Sequence, residues 1–260
     1  MAQDLYLITG ASAGLGEGFA RELARQGNDL ILVARRGPVL ETLAATLRDS
    51  HGVEVTVLDA DLTETAAIER LKLEVEDLGL TVTHLINNAG FGVRGPFAEL
   101  DGQTQARMID LNCRALVELT HAFLPGMIAR GRGGVLNVAS TAAFQPGPWM
   151  AVYYATKAFV LSFSEAVHSE VKAQGVTVAA LCPGPTRTEF FDKAEMKDSF
   201  LSRYMSGDSR QVVMDGLDAL SGNQAVRVSG ALNAVIATSI RFTPRPLARG
   251  IAGFLQKRRS

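Results

Sequence analysis

Short apolar segments rich in β-branched residues recur along the chain, and segments of helical length separate them. The apolar segments are LYLIT (5–9), DLILVA (29–34), VEVTVL (53–58), THLINN (83–88), GVLNVAS (134–140) and VTVAALC (176–182). Between them, residues 16–27 and 63–79 carry apolar side chains at three- and four-residue spacings and end at glycine, as amphipathic helices do. This alternation is typical of βαβ units. We therefore predict an α/β fold with a doubly wound parallel sheet that binds ligands at the carboxyl ends of its strands.

Composition limits the classes of protein to which this chain can belong. It has 260 residues, 47% of them apolar, and no linker or low-complexity tract, so we expect residues 1–260 to form a single domain. A net charge of -1 provides no basic field for nucleic acid, and we expect no nucleic-acid partner. Its start lacks the pattern of a secretion signal, and no apolar window reaches about 18 residues. We expect a cytoplasmic protein without a membrane span.

A glycine-rich turn, TGASAGLG (9–16), connects the first strand to the first helix. Glycines without side chains let the backbone approach a pyrophosphate, and the helix N-terminus supplies free amides. The spacing G-x-x-x-G-x-G differs from the more common G-x-G-x-x-G pattern, and turns need glycine in any case. Its place between strand and helix nevertheless favours dinucleotide binding. The residues that we assign to it are Gly10, Ser12, Gly14, Leu15 and Gly16.

The end of the second strand, LVARRG, indicates which nicotinamide cofactor would bind. An acidic residue about 20 residues after the glycine turn would bond the ribose hydroxyls of NAD, whereas arginine accommodates the 2′-phosphate of NADP. Here Ala34 stands where the acid would be, and Arg35 and Arg36 follow it. We predict NADP(H), with Arg35 as the main contact and Arg36 as a secondary one. The alternative is two solvated arginines at the start of a helix.

Five motifs share an order and spacing along the chain. They are TGASAGLG, NNAG (87–90), Ser140, YYATK (153–157) and CPGPTRTEF (182–190), and together they resemble the short-chain dehydrogenase/reductase family over roughly residues 5–190. Extended relatives also carry a Y-x-x-x-K pair, but they have a differently spaced glycine turn and a longer C-terminal substrate domain. The resemblance implies the single-domain type, with a Rossmann-like fold, a short C-terminal extension and assembly into a homo-oligomer, either a dimer or a tetramer.

Further cofactor contacts follow from this resemblance. Asp61 and Leu62 resemble the pair that holds the adenine, and the NNAG turn resembles the one beside the adenosine ribose. Two of its members, Asn87 and Asn88, could otherwise be ordinary turn formers at a strand end. Thr188 matches the threonine near the nicotinamide carboxamide and the pyrophosphate, with Thr186 as a nearby alternative. The remaining residues that the resemblance assigns to the cofactor are Ala89, Gly90, Pro183 and Gly184.

The pair of tyrosines before Lys157 raises the question of which one performs acid-base chemistry. Reduction of a carbonyl leaves negative charge on oxygen, so the site needs a proton donor. A tyrosine has an ordinary pKa of about 10, which a nearby ammonium lowers. Helical spacing alone allows either Tyr153 or Tyr154 to meet Lys157. The resemblance selects Tyr153, and we expect Tyr154, about 100° round the helix, to point away and pack against a neighbouring element.

The resemblance also implies the role of each catalytic group. Tyr153 would donate the proton, Lys157 would tune it and hold the nicotinamide ribose, and Ser140 would bond the substrate carbonyl. Asn112 would anchor a water in the proton relay, although alone it could be a helix asparagine that meets neighbouring backbone. The four histidines share no ligand spacing, so we expect no metal, and no G-x-S-x-G motif surrounds Ser140. We predict an oxidoreductase that interconverts a carbonyl and an alcohol; the alternative is an NADP(H)-binding regulatory protein without turnover.

The last third of the chain suggests the kind of substrate. Residues 188–205 are rich in aromatic residues and methionine, and we predict that they form a lid over an apolar pocket for a small carbonyl or alcohol. Trp149 and Met150 could line the same pocket or belong to the core. Residues 206–260 would form helices and a tail with interleaved apolar and basic residues. Such a tail can lie on an acidic membrane, but it more often covers apolar surface within the protein or at a subunit contact, so we expect no membrane partner.

Overall fold

The structure is a computed structural model of the chain, and it describes residues 3–185 and 208–256. The strands are β1 (Leu5–Thr9), β2 (Asp29–Ala34), β3 (Val55–Asp59), β4 (His84–Asn87), β5 (Gly133–Val138), β6 (Val176–Cys182) and β7 (Val226–Val228). The helices are α1 (Gly14–Arg25), α2 (Gly37–His51), α3 (Ala67–Asp77), α4 (Gly102–Ile109), α5 (Leu116–Arg130), α6 (Ala151–Val171), α7 (Ser209–Ser221), α8 (Ala231–Ile240) and α9 (Arg245–Gln256). A π-helical turn, Asp110–Ala115, joins α4 to α5.

The seven strands form one parallel sheet in the order β3-β2-β1-β4-β5-β6-β7. The chain first moves outward from β1 to β3 and then returns to β4 on the other side of β1. This reversal creates a crevice at the carboxyl ends of β1 and β4, where ligands bind in such sheets. The prediction of a doubly wound, Rossmann-like parallel sheet is confirmed. The seventh strand, β7, extends the sheet beyond the six apolar segments that the sequence indicates.

Alternation along the central strands places apolar side chains on both faces of the sheet. Leu30 and Leu32 of β2 belong to one buried cluster together with Phe19 of α1. Ile31 between them belongs to a second cluster, on the opposite face, together with Leu7 of β1. Successive side chains of a strand point to opposite faces, so one short apolar segment contributes to both layers. Full burial of each such side chain stabilises the fold by about 1.5–3 kcal/mol.

Three strands have the predicted limits, the other boundaries differ by one to four residues, and two of the differences arise where polar side chains form turns. Strands β1, β2 and β6 have the predicted limits. Strand β5 ends at Val138, two residues before the predicted end, because the hydroxyl of Ser140 accepts a hydrogen bond from the amide of Ala142 (3.1 Å) and begins a short 3-10 turn. Helix α3 begins at Ala67 and not at residue 63. The Asp61 carboxylate accepts bonds from the amide and the hydroxyl of Thr63 (3.0 and 2.7 Å), which holds these residues in a turn.

The C-terminal helices close the carboxyl end of the sheet. Gln256 of α9 donates a hydrogen bond to the hydroxyl of Tyr154 on α6 (2.8 Å), and a Cβ at Gly253 would lie 3.3 Å from Pro148. Ala248, Ala252 and Gln256 are buried, so this face of α9 covers the start of α6. Among the residues that the structure describes, no helix is both long and apolar enough to span a membrane.

Candidate active site

A cavity of about 450 Å³ opens at the carboxyl edge of the sheet. Its walls come from the turns that follow β1, β2, β3, β4, β5 and β6, from the first turns of α6, and from α8 and α9. The predicted site residues that line it are Gly10, Ser12, Gly14, Leu15, Arg35, Arg36, Asp61, Leu62, Asn88, Ala89, Gly90, Ser140, Tyr153, Lys157, Pro183 and Gly184. The fold thus brings residues from seven separate sequence segments into one cavity.

Two predicted site residues lie outside the cavity lining. Gly16 and Asn112 do not line the cavity, although both contact residues that do. Thr186 and Thr188 lie outside the described residues, as does the proposed lid at 188–205. Their assignments stay predictions.

The glycine turn has the backbone geometry that a phosphate cradle needs. Gly10 and Gly14 have φ angles of 66° and 61°, in the left-handed region where side chains are disfavoured. The side chain of Asn88 donates to the carbonyls of Thr9 (3.0 Å) and Gly10 (3.3 Å) and so fixes the turn against β4. A Cβ at Gly16 would lie 2.3 Å from the Gly10 carbonyl oxygen. Gly16 is therefore required for close packing of the helix on the turn and not as a lining residue.

Helix α1 presents its first amides to the cavity. Its N-cap is Ala13, whose side chain cannot accept a hydrogen bond from the first turn. The first amides of a helix have no intrahelical partner, and together with the helix dipole they form an anion-binding site. Ser12, Ala13, Gly14 and Leu15 all line the cavity at this point. The arrangement suits a pyrophosphate.

The two arginines after β2 have different contacts. Arg36 donates to the hydroxyl (3.2 Å) and to the carbonyl (2.9 Å) of Ser12, so it braces the glycine turn. A guanidinium nitrogen of Arg35 lies 3.8 Å from the Asp61 carboxylate, and Arg107 lies 3.6 Å from the same oxygen. Burial raises the pKa of Asp61, but the bonds from Thr63 and the two arginines outweigh it and leave the pKa below its usual value. Asp61 therefore remains ionised and holds Arg35 beside the cavity.

Lys157 lies one turn along α6 from Tyr153 and also lines the cavity. Its ammonium donates to the carbonyl of Val138 at the end of β5 (2.7 Å) and lies 5.9 Å from the centre of the Tyr153 ring. The residue is only 6% exposed. Burial lowers its pKa from 10.5 to about 8. A proton held this weakly can be exchanged near neutral pH.

Tyr153 is partly buried and lies beside Ser140. Burial raises the pKa of its phenol above the usual value, and the hydrogen bond with the Ser140 side chain offsets this only in part. The pKa of Tyr153 is therefore shifted in the direction opposite to the sequence-based expectation, which was that the adjacent Lys157 ammonium would lower it. The physical reason is that loss of solvent from the phenol outweighs favourable contacts with its charged form. Tyr153 is thus held in its protonated, donor form.

Tyr154 contacts a different set of neighbours. It is 7% exposed, and its ring packs against Gly147, where a Cβ would lie 2.3 Å from the ring. Its hydroxyl meets Gln256, and burial raises its pKa. The residue packs against a neighbouring element as expected. It also borders the cavity, so the expectation that it points away from the site is only partly met.

Asn112 lies in the π-helical turn, directly behind the NNAG loop. Its amide oxygen accepts from the Phe91 amide (3.1 Å), and its nitrogen donates to the Phe91 carbonyl (3.0 Å) and to the Thr156 hydroxyl (3.1 Å). The side chain is therefore fully engaged in joining three segments, which is the simpler role considered from the sequence. π-helical turns often occur at functional sites, and a Cβ at Gly90 would lie 3.0 Å from Asn112 and 3.6 Å from Lys157.

Sequence reasoning missed the wall of the cavity that α8 and α9 provide. These residues are Asn233, Ile236, Ala237, Ile240, Ala252 and Gln256. The three- and four-residue spacing from 233 to 240 was a signal of one helical face, but it did not indicate what that face would cover. Of the two residues before α6, Met150 lines the cavity and is 2% exposed. Trp149 is 36% exposed, has a φ of 71° and does not line the cavity.

The described residues contain no group of three or more histidines, cysteines or carboxylates close enough to bind a metal. Cys113 is partly buried and Cys182 fully buried, and both are free thiols. Burial raises the pKa of each thiol, to about 11 and about 12. Both thiols are therefore protonated near neutral pH and are weak nucleophiles.

Comparison with known proteins identifies the family of the chain. Residues 4–199 match the short chain dehydrogenase family. The very-long-chain 3-oxoacyl-CoA reductase of Anas platyrhynchos is 35% identical over 182 residues, which cover 68% of this chain and 58% of the relative. The reductase of that name from Pyrenophora tritici-repentis is 39% identical over 178 residues, with 66% and 52% covered. The chain thus spans between half and three fifths of the length of these curated relatives.

Two solved structures are similar over almost their whole length. A short-chain dehydrogenase from Sphingobium yanoikuyae in complex with NADPH is 34% identical, with a TM-score of 0.83 and 94% of each chain covered. The bulky-bulky ketone specific alcohol dehydrogenase from Comamonas testosteroni is 29% identical, with a TM-score of 0.79 and 93% of each chain covered. The chain therefore belongs to the short-chain dehydrogenase/reductase family of oxidoreductases.

Proposed function

We propose that the protein is an NADP(H)-dependent oxidoreductase that interconverts an apolar carbonyl compound and its alcohol. The observation that carries this proposal is the single cavity, which is lined at one place by the glycine turn and Arg35 and at another by Ser140, Tyr153 and Lys157. A dinucleotide bound along the first group would have its other end near the second. The two groups are separated by more than a hundred residues in sequence.

The chain offers suitable contacts for the phosphate groups of NADP(H). The first amides of α1 suit the pyrophosphate, and the positive φ angles of Gly10 and Gly14 allow the backbone to approach it. Ala34 avoids repulsion of a 2′-phosphate, and Arg35 can bond it. The NADPH complex of the similar Sphingobium enzyme supports the same choice. When bound, the nicotinamide supplies a hydride to a carbonyl carbon.

The residues of the chain would control the proton and the developing charge. Ser140 can donate a hydrogen bond to the substrate oxygen and polarise the carbonyl. Tyr153, held protonated by burial, can donate its proton to that oxygen as negative charge develops. The Lys157 ammonium, positioned by the Val138 carbonyl, favours the phenolate that Tyr153 leaves behind.

Apolar side chains in the cavity walls favour an apolar substrate. Phe91, Leu111, Met150, Ile236 and Ile240 all line the cavity. Apolar walls with a few convergent polar groups are typical of sites that bury most of a small ligand. The names of the similar proteins, a bulky-bulky ketone specific alcohol dehydrogenase and 3-oxoacyl-CoA reductases, support ketones as the class to test.

The test is NADPH oxidation by the purified protein across a panel of apolar ketones, diketones and aldehydes, with cofactor binding measured in parallel. We expect turnover of at least one apolar ketone and tighter binding of NADPH than of NADH. Equal affinity for the two cofactors would contradict the NADP(H) assignment. Tight NADPH binding without turnover across a widening panel would instead favour the regulatory, non-catalytic protein.

A further inference from the structure

Apolar side chains are exposed in unusual number on the two C-terminal helices. Leu232, Val235 and Ile236 on α8, Phe242 in the connection, and Leu247, Ile251 and Phe254 on α9 are between 40% and 85% exposed. We call these seven residues the C-terminal face. They make up half of the large apolar side chains that are exposed in the described part of the chain, although they come from only 23 residues. Exposed apolar side chains concentrated in this way usually mark an interaction surface.

Helix α9 shows that this exposure has a pattern. Ala248, Ala252 and Gln256 occur at four-residue spacing and are buried against the protein. Leu247, Ile251 and Phe254, at spacings of four and three, form a second stripe on the same helix and remain exposed. One helix therefore has a buried face of small and polar residues and a separate stripe of large apolar side chains that the fold leaves exposed. The sequence had suggested that the tail would cover apolar surface, and this accounts for Ala248 and Ala252 but not for the larger exposed side chains.

The charge of this region is entirely positive. Residues 231–260 contain Arg241, Arg245, Arg249, Lys257, Arg258 and Arg259 and no acidic residue, whereas the whole chain has a net charge of -1. Within residues 3–185 and 208–256, Arg241, Arg245 and Arg249 take part in no ion pair with another described residue. Their charge is thus not offset by described carboxylates. A partner for this region should be anionic as well as apolar.

We propose that the C-terminal face docks on a bilayer surface that contains anionic lipids. Leucine, isoleucine and phenylalanine side chains can enter the boundary between headgroups and acyl chains, and basic residues nearby are attracted by the negative surface potential. The protein would lie on the membrane and not span it. Docking of this kind does not depend on which substrate the cavity takes.

A second copy of the chain fits this face less well. A two-fold dimer uses the same patch on both subunits, so it would bring two sets of these basic residues together. Like charges opposed across an interface weaken association. Residues 186–207 of the same chain, with four acidic and four basic residues, bring no net negative charge either.

Docking would place the cavity close to the lipid. Ile236 belongs to the C-terminal face and also lines the cavity, and the buried side of α9 contributes Ala252 and Gln256 to the same wall. The proposed membrane surface and the cavity are therefore separated by the thickness of a single helix. An apolar compound dissolved in the bilayer would have a short path to the site.

The test is flotation of the full-length protein with vesicles of phosphatidylcholine alone or with about 30% phosphatidylglycerol, since anionic headgroups supply the attraction. We expect the protein to float with the anionic vesicles and to remain largely unbound with the neutral ones. Raising the salt to about 0.5 M should weaken binding, because the Debye length becomes shorter. Failure to float with anionic vesicles at low salt would overturn the proposal.

Matched variants show whether vesicle binding depends on the C-terminal face or on other parts of the surface. Phe254→Ser should lower the fraction bound to anionic vesicles about tenfold, whereas Phe97→Ser, at another exposed phenylalanine, should not change it. The double variant Arg241→Gln, Arg249→Gln should lower binding to anionic vesicles by at least about fivefold. The control is the double variant Arg21→Gln, Arg25→Gln, which removes the same charge from another part of the surface and should lower binding by much less. Turnover of a water-soluble substrate should be unchanged in Phe254→Ser, which shows that the variant is folded.

Two results would assign the face to another occupant and so overturn the proposal. One is a concentration-dependent dimer that Phe254→Ser abolishes, in a protein that does not bind vesicles. The other is a wild-type protein that does not bind vesicles, together with a Tm that Phe254→Ser lowers clearly more than Phe97→Ser does. The C-terminal face would then be covered by another part of the same chain.

Discussion

Tyr153 and Tyr154 follow each other on α6, yet their hydroxyls meet different partners. Tyr153 lies beside Ser140 and within 5.9 Å, ring centre to nitrogen, of the Lys157 ammonium. Tyr154 meets Gln256 of the last described helix. Spacing alone left both tyrosines open as partners of Lys157, and the contacts in the fold distinguish them. A bond across 102 residues of sequence cannot be recognised from a local pattern.

The different partners of the two tyrosines predict that the same substitution affects catalysis at one position and stability at the other. Tyr153→Phe removes the proton donor and should lower kcat at least about 100-fold, with little change in the Kd of NADPH. Tyr154→Phe removes one buried hydrogen bond and should lower the free energy of unfolding by about 1 kcal/mol with a small effect on kcat. Steady-state kinetics and thermal unfolding of both variants provide the measurement. Loss of kcat in Tyr154→Phe alone would reverse the assignment.

The lowered pKa of Lys157 predicts how activity depends on pH. With a pKa of about 8, Lys157 is protonated below about pH 8 and loses its proton as the pH rises through that value, whereas an ordinary lysine does so near pH 10.5. Burial keeps Tyr153 protonated over the same range. Carbonyl reduction that depends on the ammonium should therefore decline above about pH 8, and a profile of kcat/KM against pH would show this. A profile that stays flat beyond pH 9.5 would mean that the charge of Lys157 is not required.

The two arginines after β2 should affect cofactor binding differently. Arg35 contacts no part of the glycine turn among its described partners, so Arg35→Ala should weaken NADPH at least about tenfold and leave NADH almost unchanged. Arg36 braces Ser12, so Arg36→Ala should weaken both cofactors. Fluorescence titration of each variant with each cofactor would measure these effects. Equal weakening of NADPH and NADH in Arg35→Ala would contradict its assignment to the 2′-phosphate.

At the scale of elements, the turn between β1 and α1 is the most constrained connection. Gly16→Ala would place a Cβ 2.3 Å from the Gly10 carbonyl, where only backbone movement relieves the clash. We expect weaker binding of both cofactors and a free energy of unfolding lower by at least about 2 kcal/mol. Gly18→Ala on the same helix meets only the end of the Val213 side chain at 3.0 Å and should change stability by less than about 1 kcal/mol. Denaturant unfolding of both variants compares them; equal effects would contradict the packing argument.

The elements themselves differ in how well the sequence predicts them. Apolar segments buried on both faces, such as β2, have limits that a pattern of hydrophobicity defines. The π-helical turn around Asn112 was not predicted, because it follows from tertiary bonds to Phe91 and Thr156 while the apolar spacing stays helical. The start of α3 was placed too early for a similar reason, since the Asp61 carboxylate and not hydrophobicity determines the turn before it.

At the scale of the whole molecule, strand order explains why so much of the site could be predicted. Residues that follow β1, β2, β4 and β5 come to one edge in any doubly wound sheet, so motifs at strand ends indicate their own location. No comparable rule predicts from the sequence which side chains of α8 and α9 reach this edge. Gln256, Ile236 and Ala252 line the cavity because of how the C-terminal helices pack, and only the structure reveals this.

The most direct test of the account follows the hydride into the product. The protein would be incubated with an apolar ketone that it turns over and with NADPH deuterated at C4 on the transferred face, and the alcohol analysed by mass spectrometry. The account predicts one deuterium on the carbinol carbon with the wild-type protein and almost no product with Tyr153→Phe. Alcohol without deuterium, or undiminished product from Tyr153→Phe, would contradict it.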